Sequence, residues 1–178
     1  MMVSFIDKIS QGIYYDASKI EGYSDDELNK IERLYDVRIV GQLRQFMSVM
    51  GRSSGGLIGD DPIILYRPTW VIRDYLMLQI WLEDRINEFH CKNLFEGLPT
   101  GVNRPFLFSI AGETQYFFVA TKCDNPDMVY YYDENSDILR SVKIEFFEFM
   151  KETILLQDMA RKKRNRKNVI CRGDIISF

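Results

Sequence analysis

The sequence predicts an α+β fold, with an antiparallel or mixed sheet of about four to six strands and flanking helices. Residues 105–135 are rich in aromatic and β-branched side chains, and Gly, Asn, Pro and Asp interrupt them at short intervals. This pattern is typical of an antiparallel meander. Apolar residues at helical spacing occur before and after the meander. The length of 178 residues suits a single domain spanning residues 1–178.

The first half of the chain predicts two helices. Residues 24–27, Ser-Asp-Asp-Glu, form a capping box, in which a serine hydroxyl and a glutamate satisfy the backbone N–H groups at a helix start. We therefore predict a helix at Asp25–Tyr35, a short extended link at residues 37–39 and a second helix at Gly41–Met50. The second helix should end at residues 51–56, a glycine- and serine-rich stretch that reads as a flexible loop.

The remaining elements follow from periodicity and from turn residues. We predict a strand at residues 62–66, followed by a long helix over about residues 70–89 that Thr69 caps. The meander should contain strands at residues 106–111, 114–121 and 128–133. Ser141 is then predicted to cap a helix over residues 142–157. The end of the chain is open to two interpretations, a closing hairpin or an edge strand.

Charge is distributed unevenly along the chain. Residues 161–167 hold six of the 23 basic side chains, so the rest of the chain has 17 basic residues against 26 acidic ones. We therefore predict an acidic body, with its core over about residues 24–157, and a basic C-terminal extension over residues 158–178. An acidic body disfavours nucleic-acid binding and suits a basic protein partner. The basic run is the one hint of nucleic acid, and a solvated helix extension or a clamp for an acidic partner explains it equally well.

Cysteine usage and hydropathy predict a cytoplasmic protein with no membrane span. Cys91, Cys123 and Cys171 are an odd number and are widely spaced, which fits a reducing compartment better than a disulfide scaffold. The first residues show no signal peptide, and no apolar run approaches the roughly 20 residues that a bilayer requires.

The sequence shows no pattern typical of a catalytic, metal or cofactor site, so we expect a protein that is not an enzyme and has no cofactor. His90 is the one histidine, and its neighbour Cys91 is poorly placed to pair with it on a helix. Residues 51–56 lack the Gly-Lys-Ser/Thr ending of a phosphate-binding loop. The acidic pairs leave a small hydrolase or nuclease as a remote alternative. These pairs are Asp60-Asp61, Glu83-Asp84 and Asp133-Glu134.

The order of these segments resembles the SUKH superfamily, which includes bacterial immunity proteins, a yeast cell-wall-assembly regulator and the SecY-interacting protein Syd. The resemblance runs from about Ser24 to Leu156. In the first half of the chain, the resemblance rests on the capped helix, the extended link after it, and the Phe-Met and Gly-Gly positions that follow. In the second half, it rests on the Gly-Glu turn, the Pro-x-x-Val-Tyr strand and the Ser-x-x-x-Glu-Phe segment. The matching residues are 24–28, Ile31, Glu32, Leu34, 37–39, Leu43, Phe46, Met47, Gly51, Gly55, Gly56, 110–113, 126–133 and 141–147. The chain departs from the family at residues 40–41, where the family's usual proline is absent.

The resemblance implies an immunity protein that binds a cognate bacterial toxin and blocks it by protein–protein contact. The alternative within the same fold is a regulatory or adaptor module that binds a different partner. We expect a monomer or a weak homodimer. The family transfers no binding residues, so we choose acidic and aromatic side chains near predicted loops as partner-binding candidates. They are Tyr66, Trp70, Asp60, Asp61, Asp133 and Glu134.

Overall fold

A computed structural model of the chain describes residues 5–59, 63–91, 104–167 and 169–177, and it confirms the α+β class. The helices are α1 (Phe5–Ser10), α2 (Asp25–Tyr35), α3 (Gly41–Met50), α4 (Ile72–Cys91) and α5 (Phe146–Lys163). The strands are β1 (Ile20–Glu21), β2 (Ser53–Ser54), β3 (Pro105–Ala111), β4 (Gln115–Ala120), β5 (Met128–Asp133) and β6 (Ile138–Glu145). Short 3₁₀ helices lie at Ala17–Lys19 and Ile64–Tyr66.

The predicted meander is confirmed, and β6 extends it. Strands β3, β4, β5 and β6 lie side by side in sequence order and pair antiparallel. Tyr116 lies opposite Tyr132, while Phe117 lies opposite Tyr131. Because neighbouring residues of a strand point to opposite faces, the aromatic rings are shared between the two faces of the sheet.

A helix packs on each face of this sheet. On one face, the ring of Trp81 in α4 lies 4.7 Å from that of Tyr116. On the other face, the ring of Phe149 in α5 lies 4.9 Å from Phe117 and 5.3 Å from Phe108. The sheet is therefore the middle layer of the domain, and aromatic rings pack against helices on both of its faces.

Helices α2 and α3 have the bounds that the sequence predicts. The capping box is present: the Ser24 N–H donates to Glu27 Oε2 at 2.9 Å, and the Glu27 N–H donates to Ser24 Oγ at 3.4 Å. The link after α2 is held by the Ile39 N–H, which donates to Glu32 Oε1 at 2.6 Å. These local bonds explain why the sequence predicted this region correctly.

Residues 51–56, whose composition predicts a flexible loop, are packed into the protein interior. All six residues are buried, and Ser53–Ser54 pairs with Ile20–Glu21 in a small antiparallel sheet. Gly55 has a φ of +63°, and a Cβ there would lie 2.3 Å from the Asp16 carbonyl oxygen. Glycine is needed because of this close backbone approach.

Two further sequence predictions are wrong. Within the stretch predicted as a strand at residues 62–66, Ile64–Tyr66 form a 3₁₀ helix, in which the Tyr66 N–H donates to the Ile63 carbonyl at 3.2 Å, and Ile63 makes an isolated β-bridge to Ser109. Ser141 does not cap a helix, because it lies within β6 and pairs with Tyr130. Pairing with β5 therefore outweighs the local helix-start signal, and α5 begins at Phe146.

The chain's end forms neither a hairpin nor an edge strand over residues 169–177. It runs as an irregular segment into the core, where Ile175 is buried. The Ile175 N–H donates to Tyr23 Oη at 3.1 Å, and the Tyr35 hydroxyl donates to the Ile175 carbonyl. The first part of the basic run continues α5 as far as Lys163. Among the helices within these described ranges, none is long and apolar enough to span a membrane.

Candidate functional site

Of the predicted partner-binding residues that the structure describes, not all lie at the surface. Tyr66 has to be removed from the set, because its side chain is fully buried and its hydroxyl donates to the Met50 carbonyl at 2.8 Å. Trp70 is half-buried, with the Arg67 guanidinium 4.7 Å from its ring centroid. The predictions for Asp60 and Asp61 lie outside the described residues.

Asp133 and Glu134 lie at one end of the sheet, beside the turn that joins β3 to β4. The Glu134 N–H donates to the Thr114 carbonyl at 3.0 Å, and Asn135 Nδ2 donates to Thr114 Oγ1 at 2.9 Å. These bonds bring the β3–β4 and β5–β6 turns together, because both turns lie at the same end of an antiparallel meander. We call this surface the acidic turn edge, and define it by four residues: Glu113, Asp133, Glu134 and Asp137.

Tyrosine hydroxyls hold three of these four carboxylates in place. The tyrosines reach the edge from both faces of the sheet, since Tyr131 points away from Tyr116 and Tyr132. Hydrogen bonds to charged acceptors are stronger than neutral ones, so they restrict the carboxylates effectively. The pairs are Tyr131 Oη with Asp133 Oδ2 at 2.9 Å, Tyr116 Oη with Glu134 Oε2 at 3.0 Å, and Tyr132 Oη with Asp137 Oδ1 at 3.3 Å.

The hydrogen bond to Asp133 favours the ionised form of that carboxylate. The hydrogen bond from Tyr131 lowers the pKa of Asp133. Burial raises the pKa of Tyr116 to about 12, and the nearby Glu134 contributes to the same shift. Burial also raises the pKa of Tyr132, with the charge of Asp137 acting in the same direction. At neutral pH the phenols are therefore protonated donors, and the Asp133 carboxylate is ionised.

The carboxylates of the acidic turn edge form no ion pair within the described ranges, and the Arg140 guanidinium lies over the Tyr131 ring, 5.3 Å from its centroid. Some acidic side chains elsewhere have basic partners: Asp36 Oδ2 lies 2.5 Å from Arg104 Nε, and Asp36 Oδ1 lies 2.8 Å from Lys122 Nζ. None of the four edge residues forms an ion pair with any residue in the described ranges. The edge therefore presents a local negative potential to solvent.

Aromatic packing fixes the tyrosines that support the edge. Trp81 lies 4.7 Å from the Tyr116 ring and 5.8 Å from the Tyr132 ring, and Phe89 lies 5.8 Å from Tyr132 at an angle of 75°. Side chains with packed rings lose little further conformational entropy when a partner binds. The edge is thus organised before any partner arrives.

The described residues do not form a catalytic or metal site from the other candidate side chains. Of the acidic pair Glu83-Asp84, Glu83 forms an ion pair with the Arg104 guanidinium. His90 and Cys91 are consecutive residues at the end of α4. Cys91, Cys123 and Cys171 are free thiols. In the portion of the chain that the structure describes, no three His, Cys, Asp or Glu side chains are grouped so that they could hold a metal ion.

Sequence reasoning missed half of the acidic turn edge. Glu113 and Asp137 are exposed turn residues with φ values of +66° and +50°, and no motif distinguishes them. The predicted meander could have identified them. In an antiparallel order β3-β4-β5-β6, the first and third turns lie at the same end of the sheet, so their acidic residues are neighbours. The tyrosine–carboxylate bonds required side-chain positions, which the sequence does not contain.

Set against protein-family models, curated proteins and solved structures, the chain matches none of them.

Proposed function

We propose that the chain is an immunity protein of SUKH type, which binds a cognate bacterial toxin in the cytoplasm and blocks it by protein–protein contact. The observation that carries the proposal is the acidic turn edge, with three of its carboxylates held by tyrosine hydroxyls and none of its four paired with a cation in the described ranges. The order of sequence segments supports the family, and the free thiols of Cys91, Cys123 and Cys171 fit a reducing compartment.

The chemistry of the edge selects a basic partner. A toxin that acts on nucleic acid carries a positive face for its substrate, because phosphates are recognised by Lys and Arg. A cluster of fixed carboxylates attracts such a face and raises the association rate. Because the carboxylates are already positioned, less entropy is lost on binding than with mobile side chains. The immunity protein would cover the toxin's substrate-binding face directly.

Growth rescue tests the proposed function. The chain would be co-expressed with the toxin domain encoded by the adjacent reading frame, and growth would be compared with that of cells expressing the toxin alone. Neutralisation predicts restored growth and a stable complex of the two purified proteins. A chain that binds a partner without restoring growth would be an adaptor, and catalytic activity of the isolated chain would support the hydrolase alternative. Either result would contradict the proposal.

A pair of variants tests whether the acidic turn edge is responsible. Glu134→Gln with Asp137→Asn removes two exposed charges from the edge. Asp26→Asn with Asp124→Asn is the matched control, since both residues are exposed and the net charge changes equally. We expect the edge variant to associate with the toxin about tenfold more slowly at low salt, and the control to behave like the natural chain. Equal association rates for both variants would show that the toxin binds elsewhere.

A further inference from the structure

A groove runs between the β3–β4 side of the sheet and α5, and it ends at the basic run. We call it the α5 groove. It has an inner depression of about 220 Å³ and an outer depression of about 530 Å³, which share Ala111, Leu156 and Gln157 as lining residues. The inner part is also lined by Phe117 and Phe149, with Glu152 and Thr153 on the α5 side. The outer part extends past Gly59 and Gly112 to Val169 and the basic residues.

The groove exposes an unusual amount of apolar surface. Leu156 and Val169, which line the outer depression, are 66% and 65% exposed. Met159 does not line the groove, but it lies about one helical turn after Leu156 on α5 and is also 66% exposed. Contiguous exposed apolar residues with a polar rim are typical of interaction sites. At the inner end, Ser109 is fully buried, and its hydroxyl forms no hydrogen bond with any described residue. A buried hydroxyl without a partner is costly, so it favours an occupant with a polar tip.

The outer wall of the groove is strongly basic. Arg161 is held in place, because its guanidinium donates to the Gly56 carbonyl at 2.8 Å and to the Leu57 carbonyl at 3.0 Å. Arg164, Arg166 and Lys167 follow it, are exposed, and form no ion pair within the described ranges. These three cations are therefore available to an external anion.

We propose that the α5 groove binds an acidic segment of a partner protein, with one tyrosine-like side chain seated in the inner depression. An aromatic ring fits the space beside Phe117 and Phe149, and its hydroxyl would give Ser109 a hydrogen-bonding partner. Carboxylates next to the anchor would then meet the Arg164–Lys167 wall. This site is separate from the acidic turn edge. The edge would bind a basic partner, whereas the α5 groove would bind an acidic one.

Two other anionic partners fit the groove less well. Single-stranded nucleic acid requires a series of exposed aromatic rings on which successive bases stack, whereas the aromatic rings of this groove are confined to the inner depression and the outer part is lined by the aliphatic Leu156 and Val169. A membrane surface requires a protruding basic face, whereas this face is concave. It also borders the acidic turn edge at Gly112-Glu113, so an extended anionic surface would be repelled. A short acidic peptide contacts the groove alone and avoids that repulsion.

The test uses a short fluorescein-labelled peptide of Asp and Glu residues around a single Tyr, with fluorescence anisotropy as the measurement. The full-length chain should bind this peptide about tenfold more tightly than a matched peptide with Ser in place of Tyr, because the ring fills the inner depression. Arg164→Glu with Lys167→Glu should weaken binding at least tenfold. Lys30→Glu with Arg33→Glu, on α2, is the charge-matched control and should bind as the natural chain does.

Leu156→Ser provides a second variant that tests the apolar contact without altering charge. Leu156 is largely exposed, so the variant should fold normally, and we expect about fivefold weaker binding of the Tyr peptide. The proposal is overturned if the Ser peptide binds equally well, if the charge variant binds normally, or if an oligonucleotide or phosphatidylserine vesicles bind more tightly than the Tyr peptide. Self-association through this groove in size-exclusion chromatography with light scattering would also overturn it.

Discussion

The Arg52→Met variant tests the connection between the N-terminal helices and the end of the chain. The Arg52 side chain is only 9% exposed. It donates to both carboxylate oxygens of Glu27 at 2.9 and 3.0 Å, to Asp174 Oδ2 at 3.3 Å and to the Gly22 carbonyl at 3.2 Å. Its guanidinium also lies 4.1 Å from the centroid of the Tyr23 ring. Replacing it with methionine keeps most of the volume but leaves two carboxylates without their cation.

The expected loss follows from the burial of the three charges. Removing one partner from a fully buried ion pair costs roughly 3–5 kcal/mol, because the remaining charge is left without compensation. The Glu27 and Asp174 side chains are 29% and 20% exposed, so water would partly solvate their charges after Arg52 is removed. We therefore expect Arg52→Met to lower the free energy of unfolding by about 2–3 kcal/mol. This is a large share of the roughly 5–15 kcal/mol that stabilises an ordinary domain.

Urea denaturation followed by far-UV circular dichroism measures this loss. The matched control is Arg44→Met, which removes an ion pair to Asp25 whose side chains are 37% and 83% exposed. The control should lose less than about 0.5 kcal/mol, because exposed pairs contribute little. If both variants lose the same free energy of unfolding, or if Arg52→Met loses less than about 1 kcal/mol, the ion pairs of Arg52 do not stabilise the contact between α2 and the end of the chain.

Three further predictions concern the same core. The hydrogen bond from Arg52 lowers the pKa of Glu27 from 4.5 to about 2, so its contribution to stability is present above pH 4.5 and is lost as the pH falls towards 2. In acid titrations at fixed urea, Glu27→Gln should therefore show a smaller pH dependence than the natural chain. Gly173→Ala should cost about 2 kcal/mol or more in the same urea assay, because a Cβ would lie 2.1 Å from the Leu65 carbonyl oxygen. Tyr66→Phe should cost about 1–2 kcal/mol without affecting partner binding, since it removes a buried hydroxyl and its hydrogen bond to the Met50 carbonyl.

Local signals explain which parts of the fold could be predicted from the sequence. Helix α2 was predicted correctly because Ser24 and Glu27 form a capping box that needs no other part of the chain. Strands β3 to β5 were predicted because turn residues separate runs of aromatic and β-branched side chains. In each case, the residues that determine the element lie within the element or next to it.

The predictions failed where distant residues decide the structure. Ser141 is a good helix start by composition, but it pairs with Tyr130 and extends the sheet. Residues 51–56 have the composition of a flexible loop, yet they are buried, and Arg52 binds carboxylates that are 25 and 122 positions away in sequence. Tyr66 was chosen as a surface aromatic, although its hydroxyl finds a buried carbonyl acceptor. Such contacts depend on tertiary packing, which local pattern does not contain.

Hydrogen–deuterium exchange of the chain with and without its toxin tests the central claim most directly. The turns at residues 112–115 and 133–138 contain the acidic turn edge, and exposed turn amides exchange fast in a free protein. If the edge grips the toxin, exchange in these two peptides should slow on binding, while exchange at the N-terminal turn of α2 should not change. Protection confined to α2, α3 or the α5 groove, with both turns unaffected, would contradict the claim.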